Sequence, residues 1–333
     1  MPKSVTIERL AEWLAAQDDV LVLGHVSPDG DALGSMLAIV HALRALGKRA
    51  WACLPGGAPG TFGILPGMDE VLDASVPLPF APKAALSVDV SEPARLGDGL
   101  ELFEACERRA MLDHHATNPG FGELYVVDAE AAAAGEIALS LIDALGVALT
   151  LAMAECLFVA ISTDTGNFNF DNTRGATLRA AARCVDAGAD VSALTRRLYR
   201  TRTLGRTRLT GLVLSELEIS SDGRIAWSRL TEDMLVRAGA KREDNEAIVN
   251  YLVEIAGVRA AILAEQRGDQ TKLSLRSVPP FNIARAVAVP LGGGGHACAA
   301  GATLPLSVDA ALEKAVALVR AALEEEDAAE ASR

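Results

Sequence analysis

The chain has 333 residues, longer than one typical domain, so two domains are the starting expectation. Half of its residues are hydrophobic and only 4% are aromatic, with Ala, Leu and Val carrying the apolar content, which suits helices packed on a parallel sheet better than a β-sandwich. The net charge of −13 argues against a protein that coats duplex nucleic acid by neutralising phosphates, and no run of about 18 apolar residues offers a membrane span. The N-terminal MPKSVTIERLAEWL reads as an amphipathic helix rather than a signal peptide. Five scattered cysteines without a CxxC pair fit reduced, mostly buried thiols, and hence a cytoplasmic protein.

In chain order, VLVLGH (20–25) reads as a buried strand and 31–46 as the helix after it. RAWACL (49–54), AALSVDV (84–90), RRAMLDH (108–114) and LYVVDA (124–129) are further strands, and 133–145, 151–163 and 174–187 are helices. Such alternation predicts an α/β domain over 1–190 with a doubly wound, mostly parallel sheet, whose ligands would bind beyond the carboxyl ends of the strands. An Arg- and Thr-rich stretch, 191–210, reads as a helical linker with a solvated, salt-bridged face. From 211 to 325 a smaller α+β domain is expected, with strands in GLVLSELEIS, RIAWSRL, VRAAILAEQ and TKLSLRS and helices at 231–239, 243–252, 281–289 and 307–324. The acidic tail, 326–333, is expected to fray.

Chemistry-bearing residues gather where these apolar runs end. His25 closes one run, and Asp29 and Asp31 follow it, two apart in a Pro-Asp-Gly turn. Two carboxylates held that close repel unless a cation or proton intervenes, although the same residues would serve as a turn aspartate and a helix N-cap. Asp89 ends AALSV, the triplet Asp113-His114-His115 ends RAML, and Asp164 lies where the helical pattern of 151–163 gives way to a Thr-Asp-Thr-Gly turn. Each has a bland reading as a cap or loop residue. Together, two histidines and four aspartates match the oxygen-and-imidazole ligand set of a two-metal site. The lack of sulfur ligands argues against structural zinc and for two divalent cations, Mn²⁺ ahead of Mg²⁺.

The combination HVSPDGDALGS (25–35), VDVSEPARLG (88–97), LDHHATN (112–118) and STDTGNFNF (162–170) resembles the DHH phosphoesterase family, named for the triplet at 113–115. SLRS (274–277), NIARAV (282–287) and LGGGGHACAAG (291–301) resemble that family's DHHA1 substrate-binding domain, so the likeness covers nearly the whole chain. It implies that His25 and Asp29 hold one metal, that Asp31, His114 and Asp164 hold the other, and that Asp89 bridges them. It also implies catalytic roles for Asp113 and His115, the latter against the phosphate or behind it. Ser27 stands where many relatives carry a basic residue, and Val90 replaces a frequent Thr.

In the second half the resemblance points to Arg276, Ser277, Asn282, Gly293, Gly294, Gly295 and His296 as substrate-binding residues. Glycines let a backbone approach a ligand and offer N–H groups to phosphate, and an arginine gives a bidentate donor, though a flexible turn and an ordinary surface arginine would read the same way. The branch most like this chain hydrolyses short oligoribonucleotides (nanoRNA, pApA) to 5′-mononucleotides and 3′-phosphoadenosine 5′-phosphate (pAp) to AMP and phosphate, by a water that two metals activate. The expected partner is thus short single-stranded RNA or a small nucleotide, with no duplex and no membrane, and a homodimer stays open. The rivals are a diadenylate phosphodiesterase, a catalytically silent nucleotide-binding regulator, and a metal-free nucleotide- or sugar-phosphate-binding α/β protein.

Overall fold

The computed structural model describes residues 2–57 and 62–331. The chain divides into two compact units between Thr201 and Arg202, inside the stretch read as a linker. Among the described residues no helix is long and apolar enough to cross a membrane. All five cysteines are unpaired, and four are buried.

The first unit runs β1 (Lys3–Ser4), α1 (Ile7–Ala15), β2 (Val20–Leu23), α2 (Gly30–Ala45), β3 (Ala50–Leu54), β4 (Leu72–Asp73), β5 (Ala84–Val88) and α3 (Gly99–Ala105). It continues through β6 (Arg108–Asp113), β7 (Leu124–Val127), α4 (Ala134–Ala144), α5 (Leu151–Asp164), α6 (Gly175–Asp186) and α7 (Val191–Thr195). The seven strands form one sheet in the order β1-β7-β6-β5-β2-β3-β4, every pairing parallel. Helices cover both faces, which is why the central strands read as unbroken apolar runs: Val20 and Val22 of β2 enter one core, Leu21 and Leu23 the other. The chain order reverses between β2 and β5, so a crevice opens beyond their carboxyl ends. The N-terminus departs from the amphipathic-helix reading at its first residues, where Lys3 and Ser4 pair with Leu124 and Tyr125 at the sheet edge.

Helix α2 is buried almost throughout, and small residues let α2 close on α5 and α4 close on α5. A Cβ on Gly34 would stand 2.2 Å from the Cys156 carbonyl oxygen of α5, and one on Gly135 would stand 2.7 Å from Ala160 Cβ. Backbone cannot yield as a side-chain tip does, so Gly34→Ala should cost about 2–3 kcal/mol. Its denaturation midpoint in urea would report this, and an unchanged midpoint would mean that α2 and α5 are not packed this closely.

The second unit comprises α8 (Leu204–Ser215), β8 (Glu218–Ile219), β9 (Ile225–Leu230), α9 (Glu232–Ala238), α10 (Ile248–Val253), β10 (Ala260–Arg267), β11 (Gln270–Ser277), β12 (Gly294–His296), β13 (Ala299–Leu304) and α11 (Val308–Ala331). Its six-stranded sheet has the order β12-β13-β11-β10-β9-β8 and is antiparallel except at β9–β10. Helix α11 packs on one face, while α8, α9 and α10 pack on the other.

One expectation fails here. The first half of GLVLSELEIS is helix: Thr203 caps α8 by accepting from Arg206 N at 2.9 Å, and Leu209 and Val213, four apart, bury one side, leaving only Glu218–Ile219 as strand. The acidic tail is helical to Ala331, tied by Arg259–Glu326 at 3.2 Å and Arg224–Asp327 at 2.9 Å, while 332–333 lie outside the described residues.

Candidate metal centre

The six ligand candidates converge beyond the carboxyl ends of β2, β5 and β6. Asp29 caps α2, its Oδ1 accepting from Asp31 N and Ala32 N at 3.0 Å each, so the capping role is real and occupies one oxygen. Asp29 Oδ2 remains and lies 3.8 Å from His25 Nε2. Asp31, 1% exposed, is held from across the fold: its oxygens accept from Ala134 N at 2.6 Å, Gly135 N at 2.9 Å and Ser35 Oγ at 3.1 Å. The N-terminus of α4 thereby helps to keep a buried carboxylate in place.

Asp89 follows β5 in the left-handed backbone region, with φ 59°, which turns its carboxylate between the two histidines. Its Oδ2 lies 3.6 Å from His25 Nε2 and its Oδ1 lies 3.5 Å from His114 Nε2. His114 Nε2 is also 3.5 Å from Asp164 Oδ2 and 3.7 Å from Asp31 Oδ2. Both rings are aimed by their other nitrogen. His114 Nδ1–H donates to the Ala131 carbonyl at 3.4 Å, and His25 Nδ1–H donates to the Val26 carbonyl at 2.8 Å, leaving each Nε2 for the carboxylates. An Arg95 Nη2 also comes within 2.9 Å of His25 Nδ1; with the proton on Nδ1 this is a close approach and not a hydrogen bond.

Three groups of ligand atoms result, His25–Asp29–Asp89, Asp89–His114–His115 and Asp31–His114–Asp164; Asp89 belongs to the first two, and His114 joins the second to the third. The spacings are too long for hydrogen bonds yet close to what two ligands about 2.1 Å from one cation show across its coordination shell, about 3.0–3.5 Å. Asp89 Oδ1 is buried without a hydrogen-bond partner, an uncompensated acceptor that a cation would satisfy. On both counts the residues fit a pair of hard or borderline divalent cations.

Without cations the cluster satisfies its charge with protons. Burial pulls His25 down, yet Asp29 and Asp89 outweigh it and push its pKa up to about 10; His114 reaches about 10 for the same reason, against Asp89, Asp31 and Asp164. Burial lifts Asp164 to about 6 and Asp31 well above the usual carboxylate range, each aided by neighbouring carboxylates. Asp89, despite its burial, is held low by His114 and His25.

Asp113 is fully buried and faces no open space. Its Oδ1 accepts from His115 Nδ1 at 2.8 Å and its Oδ2 from Asn118 Nδ2 at 2.6 Å, so it orients His115, whose Nε2 is left free. That hydrogen bond to Asp113 raises the His115 pKa. Arg95, Ser35 and Asn118 were not singled out from the sequence. Ser35, one helical turn after Asp31, had a readable signal; Asn118 and Arg95 had none beyond their place in the quoted segments.

In the second unit the candidates separate. Arg276 is half-buried on β11, opposite Ala299, which also pairs with His296 of β12. Gly293 and Gly295 are required sterically, since Cβ atoms there would meet the Gly301 carbonyl at 2.1 Å and the Ala299 carbonyl at 2.5 Å. Gly294 has open space around it. Ser277 points to the other face from Arg276, 8% exposed, and its hydroxyl donates to the Phe281 carbonyl at 2.6 Å. Asn282 Oδ1 accepts from Arg285 N at 3.0 Å. These two contacts shape the chain after β11.

Residues 19–161 match the DHH family, N-terminal domain, and residues 224–325 match the DHHA1 domain. The chain is 39% identical over 310 residues to the bifunctional oligoribonuclease and PAP phosphatase NrnA of Thermus thermophilus, covering 92% of this chain and 90% of that protein. It is 26% identical to the Bacillus subtilis protein of the same name, covering 89% and 92%. An exopolyphosphatase-related protein from Bacteroides fragilis superposes with a TM-score of 0.86 at 27% identity, over 96% of this chain and 95% of that one. With the strand-end aspartates and histidines in the order of its motifs, this chain belongs to the DHH family and carries a DHHA1 domain behind the DHH domain.

Proposed function

We propose that the chain is a metal-dependent phosphoesterase that hydrolyses short oligoribonucleotides to 5′-mononucleotides and pAp to AMP and phosphate. One observation carries the reading: the groups His25–Asp29–Asp89 and Asp89–His114–His115 share Asp89, whose buried Oδ1 has no hydrogen-bond partner, and His114 links it to Asp31 and Asp164. The names of the Thermus and Bacillus relatives supply the substrate class.

His25 and Asp29 would hold one cation, Asp31, His114 and Asp164 the other, and Asp89 both, with Mn²⁺ favoured over Mg²⁺ by the two imidazoles. Divalent cations supply charge neutralisation at the phosphoryl oxygens and a nucleophilic water at neutral pH. The protein's own groups do the rest. Asp113 fixes the His115 proton on Nδ1, which leaves Nε2 to meet a phosphoryl or leaving oxygen. Arg276, the backbone at Gly293–Gly295 and His296 would take the substrate's other phosphate and its nucleoside. Unpaired, mostly buried cysteines suit the reducing cytoplasm.

Asp113→Asn keeps the shape but frees the ring to flip or change tautomer, so kcat on pApA should fall about 10–100-fold with KM little changed. Equal steady-state constants for variant and wild type would remove His115 from the chemistry. The reading itself is tested by product analysis with purified protein, Mn²⁺, and pAp, pApA, cyclic diadenylate and longer RNA. Mononucleotides from pApA and AMP from pAp are expected. Hydrolysis of cyclic diadenylate alone, or of nothing in Mn²⁺ or Mg²⁺, would overturn it.

A further inference from the structure

Strand β11 alternates strictly: Thr271, Leu273, Leu275 and Ser277 are buried, while Lys272, Ser274 and Arg276 lie half-exposed on the opposite face. Their partners on β13 are Thr303, Gly301 and Ala299, small enough to leave that face open. Above it, beside the residues leading into α10, lies a groove of about 570 Å³ floored by these three side chains.

Arg276 is anchored, with Nε donating to Asn250 Oδ1 at 3.1 Å and Nη1 to the Leu275 carbonyl at 2.9 Å, and among the described residues no carboxylate pairs with it. The Lys272 side chain has neither a hydrogen bond nor an ion pair among the described residues. The other cations of the groove are occupied: Arg242 and Arg267 both hold Glu265, which is 2% exposed. Glu243 and Glu246 also line the groove, Glu243 being paired with Lys241 at 3.4 Å. These carboxylates would repel a long polyanion from that side, so the free charge suits one further phosphate rather than a run of them.

We propose that Lys272 and Ser274, in line with Arg276 on β11, form a second phosphate subsite that takes a phosphodiester of single-stranded RNA beyond the nucleotide at Arg276. The proposal rests on the oligoribonucleotide reading above and adds length discrimination to it. Residues two apart on one strand face are about 6.8 Å apart, a step comparable to that between successive phosphates of an extended strand. Lys272 supplies the charge and the Ser274 hydroxyl a neutral donor. A dinucleotide held at Arg276 has no phosphate to place there, whereas a pentanucleotide has.

The test measures binding and turnover in parallel. In an Asp89→Ala background, which blocks hydrolysis, Lys272→Glu should raise the Kd for a labelled pentaribonucleotide about tenfold and that for pApA less than about twofold. The slope of log Kd against log salt for the pentamer should fall by about 0.7. Lys314→Glu, the same charge change on an exposed position of α11, should leave the pentamer's Kd and slope unaltered. No change with Lys272→Glu, or equal weakening of pApA and pentamer, overturns the subsite. Wild-type turnover separates the two claims: Lys272-dependent pentamer binding by a protein that releases no mononucleotide would retain the subsite and discard the phosphoesterase reading.

Discussion

Asp89→Ala is expected to lower Mn²⁺-dependent hydrolysis of pApA and pAp alike by about 10³-fold or more, the largest loss of any single substitution in the chain. A thousandfold is about 4 kcal/mol of transition-state stabilisation, more than one ordinary hydrogen bond supplies, and the geometry explains the size. The Asp89 oxygens face different histidines, Oδ2 at 3.6 Å from His25 and Oδ1 at 3.5 Å from His114, so removing the side chain damages both ligand groups together. Asp164, by contrast, belongs to one group, and its loss leaves the groups that contain Asp89 intact. Asp89→Asn keeps the volume and separates charge from packing. Steady-state rates beside thermal melts in EDTA check both variants. Near-wild-type turnover in either would remove Asp89 from the shared position.

The second large effect is an opposed pH dependence of the metal-free and metal-loaded protein. Asp164 rises from 3.8 to about 6, and His25 and His114 from 6.5 to about 10, so over this range the folded cluster binds protons that the unfolded chain has released. The stabilisation from the raised histidines is fully present below 6.5 and is lost as pH rises through about 10; that from Asp164 is present below 3.8 and is lost through about 6. EDTA-treated protein should therefore melt lower as pH rises from 6 to 9, by about 5 °C or more. Cations compete with the same protons for each Nε2, so the rise in Tm that Mn²⁺ gives should grow with pH over that window. Scanning calorimetry at several pH values with EDTA or Mn²⁺ would show it. A Tm difference independent of pH would mean that the histidines do not exchange protons for metal.

Much of the site was readable before the fold because of how a parallel sheet is built. Strands buried on both faces read as apolar runs, and the first polar residue after each run marks its carboxyl end, where a doubly wound sheet binds its ligand. His25, Asp89 and the triplet at 113–115 all stand at such places. What escaped the sequence depends on backbone direction and long-range contact. Nothing local tells that Asp89 adopts φ 59°, that Asp31 is held by the backbone of Ala134 and Gly135, or that Asn250 anchors Arg276. A motif preserves residue order and ignores strand parity, so it does not tell that the neighbours Arg276 and Ser277 face opposite ways on β11. In GLVLSELEIS, β-branched and alternating residues suggested a strand, while the spacing of Leu209 and Val213 and the Thr203 cap decided for helix.

The central claim is that this chain holds two divalent cations through one shared carboxylate. Calorimetric titration of chelator-treated protein with Mn²⁺ measures it directly, together with the same titration of Asp89→Asn. The account predicts two ions per chain for the wild type and a loss of at least one, with weakened affinity for any that remains, in the variant. A wild-type stoichiometry of zero or one, or an unchanged pair of ions in Asp89→Asn, would contradict it.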